Sequence, residues 1–139
     1  MMISSRGRYA LRVMIDLAEN QGDSPIPMKD VAARLDISLK YLERILPALV
    51  KHHYIEGIHG KGGGYRLTRA PEDYRVGDIL RITEGDLSPV SCQACNEGTC
   101  DHAASCRTVA LWNTLNTMIN DFFDQVTVAD LMLKEEPKA

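Results

Sequence analysis

Four glycines within the five residues Gly60-Lys61-Gly62-Gly63-Gly64 constrain this chain more than any other feature. Glycine enters positive φ at no steric cost, so the run permits a tight chain reversal. The flanks Tyr54–His59 and Tyr65–Thr68 are short and rich in aromatic and β-branched residues. Together they predict a β-hairpin. Three helical patterns precede it. Ser4 or Ser5 is placed to cap a first helix running to about Asn20, with Ala10, Leu11, Val13, Met14, Leu17 and Ala18 as its apolar stripe. Residues 21–27, QGDSPIP, read as a turn-rich loop. Pro27 suits the first turn of a second helix, Met28 to about Leu35, that directs Val31, Ala32 and Leu35 inward. Ser38 is the natural cap of a third helix, about Leu39 to His52, with Leu39, Leu42, Ile45, Leu46, Leu49 and Val50 inward. Lys40, Tyr41, Glu43, Arg44, Pro47 and Lys51 face outward. Pro47 costs ~3 kcal/mol inside a helix and predicts a kink, but the apolar spacing continues across it. Helix, helix, turn, helix and hairpin is the order of a winged helix-turn-helix domain.

The remainder differs in character. Val76 to about Glu84 reads as a short helix with Asp73 as one candidate cap. From about Thr108 to Gln125 a long helix carries Trp112, Leu115, Ile119, Phe122 and Val126 at alternating steps of three and four, a coiled-coil-like stripe that Leu111, Met118 and Phe123 widen. A helix this apolar at the end of a small domain needs a partner surface, and a second copy of the chain is the expected one, through residues 108–126. The expected class is therefore mainly α with a small β-hairpin wing. A winged helix-turn-helix domain occupies 1–84 and a cysteine-rich loop 85–107. A dimerisation helix and a short C-terminal helix occupy 108–133, and the KEEPKA tail is expected to fray.

With 139 residues the chain holds one domain, or one small domain with an appendage. Its longest apolar stretches fall far below the ~20 residues of a membrane span. Its first residues lack the apolar run and cleavage site of a signal peptide, so a cytoplasmic location is expected. The net charge of −3 conceals a division: residues 1–69 carry 11 basic and 7 acidic side chains, residues 70–139 carry 5 and 12. The basic half coincides with the winged-helix pattern, and double-stranded DNA is the expected partner. No nucleophile–base pair stands out and the histidines are scattered at 52, 53, 59 and 102, so an enzyme is not expected.

All four cysteines fall within Cys92-x2-Cys95-x4-Cys100-x5-Cys106. In a reducing compartment such clustering indicates metal binding or redox chemistry before structural disulfides. Thiolates suit iron–sulfur clusters and zinc. A structural zinc site and a thiol/disulfide switch stay open as alternatives.

The segments SSRGRYALRVMIDLA, SLKYLERILPALV, GKGGGYRL and VGDILRITEG closely resemble the Rrf2 family of bacterial regulators, dimeric winged-helix transcription factors. The cysteine segment followed by RTVALW is similar to the iron–sulfur cluster-binding members, the IscR and NsrR group. The resemblance covers residues 2–132. It implies that the third helix enters the major groove with Ser38, Lys40, Tyr41, Glu43 and Arg44 toward DNA. Lys40 and Arg44 would contact phosphate or guanine, and Glu43 would accept from cytosine N4. The alternative for Glu43 is an ion pair with Lys40 or plain solvation. His59 and Lys61 in the wing would approach the minor groove, although relatives often carry Arg where His59 stands. Ser5, Arg6, Arg8 and Tyr9 would clamp the backbone, with Gly7 allowing close approach to DNA.

For the metal, the resemblance implies three cysteine ligands. Cys106 and Cys100 match the last two, and either Cys95 or Cys92 the first. In the IscR type a histidine stands where Val109 does here, and in some NsrR-type members an acidic ligand stands at the position of Arg8. The additional cysteine is then the simplest fourth ligand, with His102 and Glu97 as runners-up. A [2Fe–2S] cluster is favoured over [4Fe–4S]. Relatives without the cluster cysteines include repressors of cysteine metabolism, which sense through a partner enzyme.

Overall fold

The computed structural model describes residues 3–90 and 104–132. Helix α1 spans Ser5–Glu19, with Ser4 as the N-cap accepting from the Gly7 amide. Helix α2 spans Met28–Leu35 and α3 spans Leu39–Lys51. Strands β1 (Ile55–Ile58) and β2 (Gly64–Leu67) form an antiparallel hairpin in which Ile55 pairs with Leu67 and Ile58 with Gly64. A single 3-10 turn at Pro71–Asp73 leads to α4, Val76–Glu84. The long helix α5 covers Val109–Gln125, and a short α6 covers Val128–Leu131.

Local chemistry explains the boundaries. Ser38 Oγ accepts from the Tyr41 amide at 3.1 Å and starts α3 as its sequence position predicts. Helices α2 and α3 both end on a residue in the left-handed region, Asp36 (φ 53°) and His53 (φ 60°). In each case the amide that follows the left-handed residue reaches back: Ile37 to the Ala32 carbonyl at 3.1 Å, Tyr54 to Leu49 at 2.9 Å. These paired bonds satisfy the carbonyls a helix end leaves open, without the usual glycine. Helix α3 runs through Pro47 and carries it on the exposed face. Two caps differ from expectation. Pro27 is the N-cap of α2 instead of a first-turn residue, and Arg75 caps α4, because Asp73 is taken up in the 3-10 turn.

The main core is built around α1, which touches α2, α3, α4, α6 and β2. Ala10, Val13, Met14 and Leu17 meet Val31, Leu42, Ile45, Leu49, Ile55 and Ile79 there, all buried. Of the residues expected inward on α3, Leu39 and Val50 are exposed, at 41% and 38%. Leu39 stands at the first position of the helix, outside the turns that face α1. Val50 lines a shallow groove with Glu43, Leu46, Pro47, Lys51 and Tyr65. Buried Asp16 on α1 is held by Arg34 of α2 through two bonds, at 2.7 and 2.9 Å.

Two returns of the chain are invisible to periodicity. Ile26, in the loop before α2, pairs with Tyr65 through reciprocal backbone bonds of 2.8 Å, adding a third segment alongside the two strands of the wing. Gly64 makes this approach possible: a Cβ there would lie 2.4 Å from the Ile26 carbonyl and 2.7 Å from the Pro27 nitrogen. After α5 the chain comes back to the winged unit. Val76 donates to the Val126 carbonyl at 2.8 Å, Val128 donates to Tyr74 at 2.9 Å, and the Val128 side chain is fully buried in the main core.

Helix α5 itself has no buried residue. Ile119, Phe123 and Val126 pack on a second small cluster of Val76, Leu80 and Leu87. Arg81 of α4 bridges to Asp124 at 2.8 and 3.0 Å, which holds its guanidinium pKa above the usual value, and donates to Asn120 at 2.8 Å. The predicted stripe is therefore divided: Ile119 and Val126 face the chain's own α4. The face left open carries Leu111, Met118 and Phe122, at 59%, 63% and 63% exposure.

Candidate nucleic-acid interface and cysteine segment

Helix α3 presents its charged side chains free. Lys40, Glu43 and Arg44 are exposed, and among the described residues none of them is in an ion pair. The Lys40–Glu43 pair that would have made Glu43 a plain surface residue is absent. The wing carries His59 and Lys61, both exposed, at its turn. The turn depends on Gly60 (φ 99°) and Gly62 (φ 78°), positions an L side chain would strain. Arg6 and Arg8 stand exposed in the first turns of α1. Thus Arg6, Arg8, Lys40, Arg44 and Lys61 are unpaired cations among the described residues. Arg34, Arg66 and Arg81 are neutralised by Asp16, Glu56 and by Asp124 with Asp78.

Ser38 and Tyr41 have structural duties besides. Ser38 caps α3. Tyr41 packs edge-on against Tyr9, with ring centroids 5.4 Å apart, and its hydroxyl lies 3.1 Å from Ser5 Oγ. Arg12 lies over the other ring of this pair, 5.4 Å from the Tyr9 centroid, and donates to the Leu35 carbonyl. The start of α1 is thereby fastened to the start of α3. Gly7 does not open the way to DNA: it is buried, and the space a Cβ would fill belongs to the Glu84 carboxylate, 2.3 Å away.

The wing is anchored at its base by Tyr74, 1% exposed. Its hydroxyl donates to the Tyr54 carbonyl at 2.8 Å and accepts from the Thr68 and Arg69 amides at 2.9 and 3.0 Å. Tyr54 stacks edge-on against it, with Arg69 over the Tyr54 ring at 4.8 Å, and burial pushes the Tyr54 phenol up. One phenol therefore joins the exit of α3 to the end of β2.

Of the four cysteines, Cys92, Cys95 and Cys100 lie outside the described residues, as do Glu97 and His102. Cys106 is described. It is half-buried just before α5, with Sγ 3.3 Å from the Thr108 hydroxyl, and this hydrogen bond holds the thiol pKa below its usual value. Val109 begins α5 where the resemblance would place a histidine.

Two residues that pattern reasoning passes over are Glu84, which sits against the start of α1, and Arg81, which clasps α5. No local signal marks either one: each acts on an element distant in sequence.

A three-helix unit with a hairpin wing and unpaired cations along α3 and the wing defines a winged-helix regulator. Among the described residues no helix is long and apolar enough to cross a membrane. The chain matches the family model described as "Rrf2: Iron-dependent Transcriptional regulator" over residues 3–134. It belongs to the Rrf2 family. It is 35% identical over 136 residues to the HTH-type transcriptional regulator IscR of Sodalis glossinidius, covering 98% of this chain and 81% of that protein. Among solved structures it is similar to CymR, the global cysteine regulator of B. subtilis, with a TM-score of 0.78 at 32% identity, covering 94% and 95% of the two chains. It is also similar to T. potens IscR, with a TM-score of 0.71 at 31% identity, covering 94% and 85%. The chain is a DNA-binding transcriptional regulator of IscR-like type, and the family is not enzymatic.

Proposed function

We propose that the chain is a cytoplasmic, homodimeric, sequence-specific DNA-binding regulator whose affinity for its operator is set by an iron–sulfur cluster on the cysteine segment. The observation that carries the DNA part is the unpaired row Lys40, Glu43 and Arg44 on an exposed helix capped by Ser38, flanked by Lys61 on the wing. In the major groove, Glu43 loses by its charge near phosphates and gains by accepting from a cytosine amine, so it selects bases. Lys40, Arg44, Lys61, Arg6 and Arg8 neutralise phosphates or reach guanine. His59 is drawn to the negative potential of the minor groove less than arginine would be.

The donor set fits a cluster. Four thiolates within 15 residues supply soft ligands for iron, which Cys92, Cys95, Cys100 and Cys106 would hold. A bound cluster would supply a redox- and iron-sensitive tie on the chain leading into α5. The similarity to IscR proteins supports this reading, with [2Fe–2S] favoured over [4Fe–4S]. The likeness to the B. subtilis cysteine regulator supports a second one, in which the chain answers to cysteine metabolism and needs no cluster. The apolar row Leu111, Met118 and Phe122 supports dimerisation through α5, because exposed side chains of this size are buried when a second copy covers them.

The test is an ultraviolet–visible spectrum with iron and sulfide analysis on protein purified without oxygen. Visible absorbance with about two irons and two sulfides per chain supports the cluster reading, and about four of each selects [4Fe–4S]. Colourless protein with about one zinc per chain makes the segment structural. Colourless, metal-free protein that resists anaerobic reconstitution leaves the thiol and cysteine-metabolism readings.

A further inference from the structure

The first turn of a helix carries amide groups with no partner inside the helix, and it frays unless something accepts from them. In α1 the Ser4 hydroxyl accepts from the Gly7 amide at 3.5 Å, and a second, shorter acceptor comes from 77 residues away. Glu84, the last residue of α4, directs one carboxylate oxygen at the turn: Oε1 accepts from the Ser4 amide at 2.9 Å, the Ser4 hydroxyl at 2.5 Å and the Gly7 amide at 3.2 Å. The anionic oxygen also complements the positive end of the helix dipole. A glycine at position 7 is what admits it, since a Cβ there would lie 2.3 Å from the same oxygen. On its other side the same turn is tied to α3 through Ser5 and Tyr41. Arg6 and Arg8 bracket Gly7 and are both exposed and without an ion pair among the described residues.

We infer that Glu84 is a positioning residue for DNA binding: its carboxylate pins the first turn of α1 so that Arg6 and Arg8 reach the DNA backbone. This rests on the proposed interface, in which the start of α1 meets phosphate. Glu84 touches no DNA itself. It acts by keeping two guanidinium groups on an ordered turn, so that their side chains, and not the backbone beneath them, carry the ordering cost of each phosphate contact.

The experiment is fluorescence anisotropy of the full chain on a labelled random-sequence duplex at low salt, since phosphate contacts need no particular sequence. Thermal unfolding of each variant monitors the fold. Glu84→Ala is expected to weaken binding by about tenfold, the size of a lost helix cap. Glu84→Gln, which keeps one carbonyl acceptor, falls between. Gly7→Ala attacks the same contact from the other side, keeps every charge and displaces only the end of a flexible side chain; it reproduces Glu84→Ala, and the two together are no worse than one. In an Arg6→Ala, Arg8→Ala background the effect of Glu84→Ala disappears, whereas a general loss of stability would persist there. Wild-type affinity in both Glu84→Ala and Gly7→Ala, or a tenfold loss that survives removal of the two arginines, overturns the inference. The underlying interface is judged separately: if Lys40→Ala and Lys61→Ala lower affinity while Glu84→Ala does not, the interface stands and the role of Glu84 falls. If none of these changes alters binding, the interface itself is wrong.

Discussion

Replacing Tyr74 by phenylalanine removes one oxygen from the base of the wing and leaves the ring in place. Three backbone groups lose their partner: the Tyr54 carbonyl at 2.8 Å and the Thr68 and Arg69 amides at 2.9 and 3.0 Å. A buried polar group left unpaired costs about 1–3 kcal/mol. The three losses do not sum fully. Tyr54 keeps a long contact of 3.4 Å from the Thr68 hydroxyl, and residues 68 and 69 are exposed enough for water to reach their amides. The expected loss is therefore about 2–4 kcal/mol. For a chain of this size that corresponds to a fall in Tm of roughly 6–20 °C. Urea unfolding of wild type and Tyr74→Phe measures it, provided the slope m is unchanged. DNA affinity should fall as well at temperatures where both proteins are folded, because the same phenol fixes the wing to the end of α3. A loss below about 1 kcal/mol would refute the reasoning, since it would mean that water replaces the phenol and that the network is not sequestered.

Other outcomes follow from the same geometry. Gly64→Ala forces a Cβ into the Ile26 carbonyl, a backbone group that cannot rotate aside, and should cost about 1–3 kcal/mol by thermal unfolding; Gly22→Ala, with open space around it, should be neutral. Glu43→Ala should bind DNA tightly with relaxed base preference across a half-site panel, and equal discrimination by both proteins would count against base reading. Lys40→Ala and Lys61→Ala should lower affinity for all sequences and each reduce the salt slope by about one, read from binding isotherms at several salt concentrations. Met118→Glu with Phe122→Glu should yield monomers in sedimentation while leaving the winged unit folded, because neither side chain belongs to a core cluster.

Much of the winged unit is legible in the amino-acid sequence. Ser4 and Ser38 are caps because a short hydroxyl side chain ahead of an apolar repeat can reach an amide three residues on, a purely local event. Leu42, Ile45, Leu46 and Leu49 are inward because 3.6-residue periodicity puts them on one face. The glycine run turns where expected, and Lys40, Glu43 and Arg44 are exposed because they occupy the opposite face of the same helix. The membership of the Rrf2 family was likewise readable from motifs spread over most of the chain.

Periodicity names a face but not its neighbour, and that is where the sequence falls short. Helix α5 has apolar residues nearly all round, so the division between Ile119, Phe123 and Val126 on α4 and Leu111, Met118 and Phe122 in the open depends on where Val76 and Leu80 stand. Gly7 and Gly64 look alike as flexible residues, yet one makes room for a carboxylate and the other for a carbonyl, each from a distant element. The amino-acid order by itself determined the helices, the wing, the exposed charged row and the four-thiol donor set, since these rest on interactions among residues a few positions apart. The tertiary structure alone decided that Ile26 joins the wing, that Val128 returns to the core, and that Glu84 closes the first turn of α1, because a contact across the chain exists only when packing brings its partners together.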